Sequence, residues 1–360
     1  MNGTRSACHL VSFGEAMVRL CPPGFGRLEL ATQLEMQPGG AELNTAVGVV
    51  RLGAEHGLRA AWVSRLPRNP LGRYIAGKAR EQGVATERIL WDESPDARCG
   101  TYFLEEGAAP RASSVLYDRA NSAFARLRPE EFDWPQILAG TPYFLVTGIT
   151  PALSPGCLEA TRQAMQTAHD TDVQVVFDPN YRSKLWTLEQ ARAVYLELAP
   201  LVDILSCSED GLHTFYDVPA AGSPEATARA AIERFDLQAV IMTTRTELGM
   251  WRNRVGATVV AKNERGAVVT YHDREREVEI VDRLGAGDAF LAGFLYARLT
   301  GSTGSTGSPG GDGQRPDWER ATAYGGACAA LKHSIRGDFP ILTAAEVRQE
   351  IEAPALRVQR

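Results

Sequence analysis

The chain has 360 residues, of which 44% are apolar and 23% are charged, and its formal net charge at pH 7 is −6. This composition is typical of a globular enzyme, and the negative charge gives no reason to expect nucleic acid as a partner. No apolar run approaches the roughly 18 residues of a membrane span, and the six scattered cysteines form no CxxC pair, so we expect a cytoplasmic protein without membrane contact, disulfides or structural zinc.

Strand-like apolar runs alternate with helix-patterned segments along most of the chain. The predicted strands are residues 9–14, 60–65, 143–148, 173–178, 202–206, 239–243, 249–252 and 257–261. The predicted helices are an amphipathic segment around residues 43–50 and residues 71–82, 156–169, 187–198 and 223–235. This alternation favours an α/β fold with a mostly parallel central sheet between two layers of helices. Ligands of such folds bind outside the carboxyl ends of the strands.

Three segments interrupt the alternation. Residues 16–38 and 97–119 contain short alternating stretches without helices between them. We predict that they form a small antiparallel sheet that serves as a lid, and the alternative is two surface hairpins with no role. Residues 300–317 are rich in glycine, serine and threonine, which predicts a flexible loop.

The segment most informative about chemistry is VDRLGAGD, residues 281–288. Strand-like residues precede it and a helical pattern follows, so its glycines are predicted at a turn before a helix N-terminus. The first amides of a helix lack partners within the helix and attract an anion. Asp288 would repel a merely bound phosphate, but it suits a base that accepts a proton from a hydroxyl attacking a phosphoryl group. The alternative is a plain turn with Asp288 as the helix cap.

A second glycine pair, Gly39-Gly40, precedes the first predicted helix and is followed by Glu42 and Asn44. Together with the GAGD segment, this pair resembles the ribokinase-like (pfkB) carbohydrate kinases. In that family an N-terminal GG element lies in the sugar site, and a C-terminal GxGD element supplies an anion hole and a base. The resemblance extends from residue 14 to residue 360. It implies a three-layer α/β sandwich with a small β-lid in one kinase domain, residues 1–360.

Further segments resemble the 2-keto-3-deoxygluconate kinases within that family. They are residues 147–154 (TGITPALS), 178–186 (DPNYRSKLW), 332–339 (KHSIRGDF) and the closing residues 357–360. The residue chemistry independently suits a sugar acid, because a guanidinium group binds a carboxylate through two parallel hydrogen bonds. Arg119 and Arg182 are the candidates for that role.

The resemblance implies roles for individual residues in the transfer of a phosphoryl group from ATP. Asp288 is the catalytic base, and the backbone of Gly285, Ala286 and Gly287 forms the anion hole. The residues implied in the sugar site are Gly40, Asn44, Tyr102, Tyr117, Arg119, Ile149, Arg182 and Asp338. The residues implied in the ATP site are Asn180, Ser208, Thr243, Gly249, Gly285 and Gly287.

The resemblance also implies Mg²⁺ bound with the nucleotide, but the sequence departs from the family near this metal. Relatives usually have an acidic fourth residue in the element that reads Ser208-Glu209-Asp210-Gly211 in this chain. Gly211 cannot orient a magnesium-bound water, so Glu209 and Asp210 are possible substitutes and the metal ligands stay unassigned.

The predicted activity is the ATP-dependent phosphorylation of the 6-hydroxyl of 2-keto-3-deoxygluconate by a homo-oligomer. One alternative is another kinase of the same family, acting on fructose, a 5-keto acid or the galactose epimer of the keto acid. A second alternative is a non-catalytic sugar or nucleotide sensor. Asp288 argues against the sensor, because binding alone does not require a base beside the phosphate.

Overall fold

The computed structural model describes residues 7–301 and 317–352. Most of the predicted flexible loop and all of residues 357–360 lie outside this part of the chain. The strands are β1 (Leu10–Phe13), β2 (Met17–Cys21), β3 (Glu35–Gly39), β4 (Ala60–Pro67), β5 (Ile89–Asp92), β6 (Thr101–Glu105), β7 (Ser114–Asp118), β8 (Tyr143–Thr147), β9 (Gln174–Asp178), β10 (Ile204–Ser206), β11 (Ala239–Gly249), β12 (Arg252–Lys262), β13 (Val268–His272) and β14 (Arg276–Glu279). The α-helices are α1 (Ala41–Leu52), α2 (Pro70–Glu81), α3 (Trp134–Leu138), α4 (Ile149–Ala152), α5 (Pro155–Asp170), α6 (Leu188–Leu198), α7 (Glu209–Tyr216), α8 (Pro224–Phe235), α9 (Ala286–Thr300), α10 (Trp318–Lys332) and α11 (Ala344–Glu352).

A large sheet forms the centre of the molecule, with the strand order β13-β12-β11-β10-β9-β8-β1-β4-β5 and with β14 also paired to β12. All neighbours from β11 to β5 are parallel. Strands β12, β13 and β14 add an antiparallel edge. The predicted mostly parallel sheet is therefore confirmed.

Helices cover both faces of the large sheet and bury a separate apolar layer on each. Strand β1 shows why two layers form, because alternate side chains of a strand point to opposite faces. Leu10 packs with Trp62 and Phe294 in one layer. Val11 packs with Phe144 in the other. The result is the predicted three-layer sandwich, and no helix within the described residues is long and apolar enough to cross a membrane.

The small sheet has the order β3-β2-β6-β7 and uses the two segments that interrupt the alternation. Its outer pairs are antiparallel, but β2 and β6 in the middle run parallel, so the expectation of a purely antiparallel sheet is wrong. The physical reason is topological: these two strands follow β1 and β5, which point in the same direction in the large sheet. Residues Leu28–Leu30 form a 3₁₀ turn rather than part of a strand.

The prediction of three separate strands at 239–243, 249–252 and 257–261 is also wrong in detail. β11 continues from Ala239 to Gly249 and turns back directly into β12. The second half of β11 is polar and exposed, so its composition does not indicate a strand. Pairing with β12 nevertheless satisfies its backbone hydrogen bonds. This hairpin projects beyond β10 and forms one wall of a cavity described below.

Candidate active site

The segment Leu284–Asp288 forms the predicted turn and helix start. Gly285 has φ +80°, in the left-handed region, and α9 begins at Ala286 with Asp288 in its first turn. A Cβ on Gly285 would lie 2.2 Å from the backbone oxygen of Asp338, so only glycine fits there. The amide of Ala289 is the first to pair, with the oxygen of Gly285 at 2.9 Å. The amides that precede it are therefore available to an anion.

The carboxylate of Asp288 has one fixed partner. The side-chain amide of Asn44 donates a hydrogen bond to its Oδ2 at 2.7 Å, and the Thr45 hydroxyl donates to its backbone oxygen at 3.3 Å. Burial raises the pKa of Asp288 to about 7, the hydrogen bond from Asn44 opposes this shift, and the charges of Asp178 and Asp338 add to it. A carboxyl group with such a pKa can accept a proton near neutral pH. Asn44, predicted to contact the sugar, is thus also placed to orient Asp288.

A cavity of about 280 Å³ lies above Asp288, between the large sheet and the small sheet. All of the residues predicted in the sugar site line it, and so do Asn180 and the GAGD segment. The predicted residues at this cavity are Gly40, Asn44, Tyr102, Tyr117, Arg119, Ile149, Asn180, Arg182, Gly285, Ala286, Gly287, Asp288 and Asp338. Residues from distant parts of the chain therefore meet at one site, although no bound sugar shows their individual contacts.

Asp338 is held at this cavity by two donors from the small sheet. The Tyr102 hydroxyl donates to its Oδ2 at 2.6 Å, and Arg19 Nη1 donates to its Oδ1 at 2.8 Å. The Tyr102 ring lies 5.9 Å from the Tyr117 ring on the neighbouring strand. Arg19 is only 1% exposed. Sequence reasoning missed this residue, although a lone arginine in the apolar strand MVRLC was a signal that it is buried for a reason.

The two arginines predicted to bind a substrate carboxylate have different surroundings. Arg119 donates from Nε to Glu15 at 3.0 Å and also pairs with Glu15 through Nη2. Arg182 is exposed and bonds the backbone oxygen of Tyr181 at 3.2 Å. It also lines an adjoining outer chamber of about 740 Å³, which contains Lys184. Arg182 therefore has the less neutralised guanidinium group of the two.

Besides Glu15, two further carboxylates line the cavity and were not predicted to act there. Glu42 accepts hydrogen bonds from the amide and the hydroxyl of Thr147 at 3.0 and 2.8 Å, and from Thr150 at 3.0 Å. Burial raises the pKa of Glu42. Burial also raises the pKa of Asp178 to about 6, against the hydrogen bond from the amide of Asn180. Glu42 follows the glycine pair and Asp178 ends a predicted strand, and these positions were the signals available in the sequence.

A second cavity, of about 620 Å³, lies between the β11–β12 hairpin and α9. Ser208 and Thr243, both predicted in the ATP site, line it. Gly249 does not, because β11 carries it to the far end of the hairpin. The residues that line both cavities are Arg283, Ala286 and Gly287. A phosphoryl group passing from one cavity to the other would cross the GAGD turn, with the unpredicted Arg283 beside it.

The acidic residues near the second cavity fit a sparsely coordinated Mg²⁺. Asp210 lines this cavity, whereas Glu209 accepts a hydrogen bond from Thr227 at 3.1 Å. Within residues 7–301 and 317–352, no group of three or more His, Cys, Asp and Glu side chains is placed to hold a metal ion. Mg²⁺ usually keeps several waters and uses one or two carboxylates together with substrate phosphates. Asp210 in this cavity and Asp178, which lines the neighbouring cavity above Asp288, are carboxylates available for this.

Comparison with known proteins identifies the family. The chain is 36% identical over 351 residues to 2-dehydro-3-deoxygalactonokinase of Haloferax volcanii, covering 98% of this chain and 99% of that protein. It is 28% identical to 5-dehydro-2-deoxygluconokinase of Bacillus subtilis, covering 96% and 97%. The crystal structure of 2-dehydro-3-deoxygluconokinase from Thermotoga maritima superposes with a TM-score of 0.84 at 33% identity, covering 96% and 98%. Residues 8–338 match the description "pfkB family carbohydrate kinase". The chain therefore belongs to the pfkB family of carbohydrate kinases, enzymes that transfer a phosphoryl group to an alcohol group of a sugar.

Proposed function

We propose that the protein transfers the γ-phosphoryl group of ATP to the 6-hydroxyl of 2-keto-3-deoxygluconate or of its C4 epimer. The observation that carries this proposal is the position of Asp288, on the first turn of α9 and at the floor of a cavity lined by Arg119 and Arg182. A base, an anion-binding turn and cationic groups for a carboxylate are thereby present together. The names of the relatives from Haloferax volcanii and Thermotoga maritima support the same class of substrate.

In this mechanism Asp288 accepts the proton of the 6-hydroxyl as its oxygen attacks phosphorus. Asn44 holds the carboxylate in place, at 2.7 Å from Oδ2. The amides at the start of α9 bind the transferring phosphoryl oxygens, where preorganised donors stabilise developing charge. Arg283, at the junction of the two cavities, adds positive charge there.

ATP would occupy the cavity along the β11–β12 hairpin, near Ser208 and Thr243. Mg²⁺, held by its phosphates with Asp210 or Asp178, would neutralise phosphate charge and help to align the γ-phosphoryl group. The residues of the small sheet, Tyr102 and Tyr117 among them, would close over the sugar acid and exclude water that competes for the phosphoryl group.

The test is ADP release coupled to NADH oxidation, measured with a panel of sugars and sugar acids. The panel contains 2-keto-3-deoxygluconate, 2-keto-3-deoxygalactonate, a 5-keto-2-deoxy acid, fructose and ribose. We expect the two 2-keto-3-deoxy acids to give the highest kcat/KM, with phosphate on O6 by NMR. Preference for fructose or for a 5-keto acid would replace the proposed substrate within the same family. No ADP release with any compound, together with sugar binding by calorimetry, would favour the sensor.

We also propose that two copies of the chain associate through their small sheets. This sheet exposes the large apolar side chains of Met36 on β3 (40% exposed) and Leu116 on β7 (60% exposed), the neighbouring 3₁₀ turn exposes Leu30 (79%), and β3 and β7 are the edge strands. Edges and apolar faces of this kind are usually covered by another surface. Light scattering at low micromolar concentration is expected to give a dimer or larger assembly, and Leu116→Lys is expected to dissociate it. A wild-type monomer under these conditions would contradict the association.

A further inference from the structure

Arg19 occupies an unusual position for a charged residue. It lies in the middle of β2 in the small sheet, opposite Tyr102 on β6, and is 1% exposed. Its Nη1 atom lies 2.8 Å from Asp338 Oδ1 and 2.7 Å from Asp282 Oδ2, and its Nη2 atom lies 3.8 Å from Glu106. Removing an arginine from water is costly unless charged partners surround it, and here the partners lie on separate segments.

Each of the two close partners belongs to a different half of the active site. Asp338 faces the cavity proposed for the sugar acid, called the sugar cavity, and also binds the Tyr102 hydroxyl. Asp282 lies at the start of the turn that leads to Asp288, and its carboxylate accepts hydrogen bonds from the amides of Leu284 at 3.1 Å and Gly337 at 2.9 Å. One guanidinium group on the small sheet therefore contacts both the sugar-binding segment and the phosphoryl-binding turn.

The packing of the backbone reinforces this connection. The backbone oxygen of Asp338 lies 2.2 Å from the position that a Cβ on Gly285 would occupy, so the two segments are in close contact. The buried Lys332 donates from Nζ to the oxygen of Ile335 at 2.9 Å, which fixes the segment that precedes Asp338. A displacement of β2 that moves Arg19 would consequently move Asp338 and the turn together.

We propose that Arg19 and Asp282 are positioning residues through which sugar binding at the small sheet sets the geometry of the phosphoryl-binding turn. The proposal rests on the proposed function, since it requires a sugar that contacts the small sheet and a phosphoryl group at the turn. Arg336 also links the small sheet to the segment before Asp338, through Glu35 and Glu106 at 3.1 Å each, but neither of these carboxylates belongs to the phosphoryl-binding turn. Arg27, beside the sheet, is exposed and pairs with Glu105 at 3.1 Å, and exposed pairs contribute little.

The first measurement uses the wild-type protein and whichever sugar the substrate panel shows to be phosphorylated. Hydrogen exchange of peptides covering residues 282–288 is followed with that sugar and without nucleotide. We expect exchange in this turn to slow at least several-fold in the wild-type protein and much less in Arg19→Met, since residues 283–288 also line the sugar cavity and direct contact alone would protect both proteins equally. In parallel, calorimetry gives the Kd of a non-hydrolysable ATP analogue with and without the sugar. We expect tightening of about 5-fold or more, the lower end of typical coupling between sites.

The variants are Arg19→Met, Asp282→Asn and the double variant, with Arg27→Met as the matched control. Arg19→Met and Asp282→Asn are each expected to reduce the effect of the sugar on nucleotide affinity to less than about 2-fold. Each should also lower kcat by about 10- to 100-fold, because the reacting groups are then less accurately positioned. The double variant should show little further loss, because both changes break one unit. Arg27→Met should keep the wild-type coupling and kcat.

Several results would overturn the proposal. One is unchanged exchange of the turn together with no effect of the sugar on nucleotide affinity in the wild-type protein. Another is a folded Arg19→Met variant that retains wild-type coupling. If Arg19→Met does not fold, the same exchange and affinity measurements on Asp282→Asn decide. Failure of the proposed function appears separately, as a panel in which no 2-keto-3-deoxy acid is phosphorylated.

Discussion

The cavity proposed for the sugar acid (the sugar cavity) and the cavity proposed for ATP (the nucleotide cavity) share Ala286 and Gly287 of the GAGD turn but are built differently. Most charged groups around the sugar cavity are buried and hydrogen-bonded: Arg19, Glu42 and Asp338 are 1%, 2% and 8% exposed, with Arg19 bonded to Asp338 and Glu42 to Thr147 and Thr150. The nucleotide cavity instead has exposed residues, among them Ser208 at the start of α7 and Thr243 on the projecting hairpin. A small acid offers few groups to recognise, so its site requires preorganised polar partners. A nucleotide can be held through its phosphates by backbone amides and a metal ion.

This contrast makes a physical prediction about substitutions. Removing one partner of a buried hydrogen bond or ion pair costs more free energy, because the other partner is left without its hydrogen bond. Removing an exposed group costs little, because water takes its place. Changes at the sugar cavity should therefore have large effects, and changes at the nucleotide cavity should have small ones.

The largest effect is expected for Asp288→Asn, at the floor of the sugar cavity and next to the turn that both cavities share. The amide cannot accept the hydroxyl proton, so kcat should fall by about 10²–10⁴-fold, the usual contribution of a general base. The Kd values of sugar and nucleotide should change little, because the size of the side chain is preserved. Steady-state kinetics and calorimetry measure both quantities. A variant that keeps more than about a third of the wild-type kcat, with chemistry rate-limiting, would refute the assignment of the base.

The next effect concerns the carboxylate of the sugar acid. Arg182→Leu should lower kcat/KM for the acid by about 10- to 150-fold, which corresponds to roughly 1.5–3 kcal/mol for a hydrogen-bonded charge. The loss for a neutral analogue such as the matching deoxy sugar should be much smaller. Lys184→Leu, in the same loop but outside the sugar cavity, is the control and should have little effect. Equal losses for acid and neutral substrates would remove Arg182 from the carboxylate site.

A smaller and more specific effect is expected in the pH dependence. Since Asp288 must be ionised to act as a base and burial raises its pKa to about 7, kcat/KM should rise with pH and level off above that value. The hydrogen bond from Asn44 stabilises the carboxylate, so Asn44→Ala should move the inflection to higher pH. Thr45→Val, which removes hydrogen bonds to the backbone oxygens of Ala41 and Asp288 but none to the Asp288 carboxylate, should leave it in place. A shift to lower pH in Asn44→Ala would contradict the role of this hydrogen bond.

The smallest effect is expected on the nucleotide side. Arg245 lines the nucleotide cavity and is 58% exposed at its side chain, so Arg245→Ala should raise the KM for ATP by only about 2- to 5-fold. The kinetics of the sugar should not change. Arg252→Ala, on the same hairpin but paired with Glu277 at 2.8 Å, is the control. A loss above about 50-fold would show that this cavity also depends on individual side chains.

The predictable part of the active site consists of local features. The start of α9, the left-handed Gly285 and the position of Asp288 follow from a glycine turn before an apolar helix, and the structure has all three. The mostly parallel sheet also follows from a local feature, the alternation of strand-like and helix-like hydrophobic patterns along the chain. The roles assigned to individual residues of the sugar and ATP sites remain predictions, although the structure brings most of them together.

Other features were not predictable because their cause lies far away in the chain. Nothing near Arg19 in sequence indicates its two acidic partners, since Asp338 is 319 residues distant. The pairing of Arg119 with Glu15 is similarly hidden, as the two residues are 104 positions apart. The polar half of β11 becomes a strand only because β12 lies beside it.

The sequence by itself therefore determined the fold class, the boundaries of α1, α2, α5, α6 and α8 to within about two residues, and the turn that carries the base. These properties depend on hydrophobic periodicity and on the backbone freedom of glycine, which act over a few residues. Only the tertiary structure decided which charges neutralise one another, the parallel pairing of β2 with β6 and the raised pKa of Asp288. Those properties depend on burial and on contacts between distant segments, because the energy of a charge is set by everything that surrounds it.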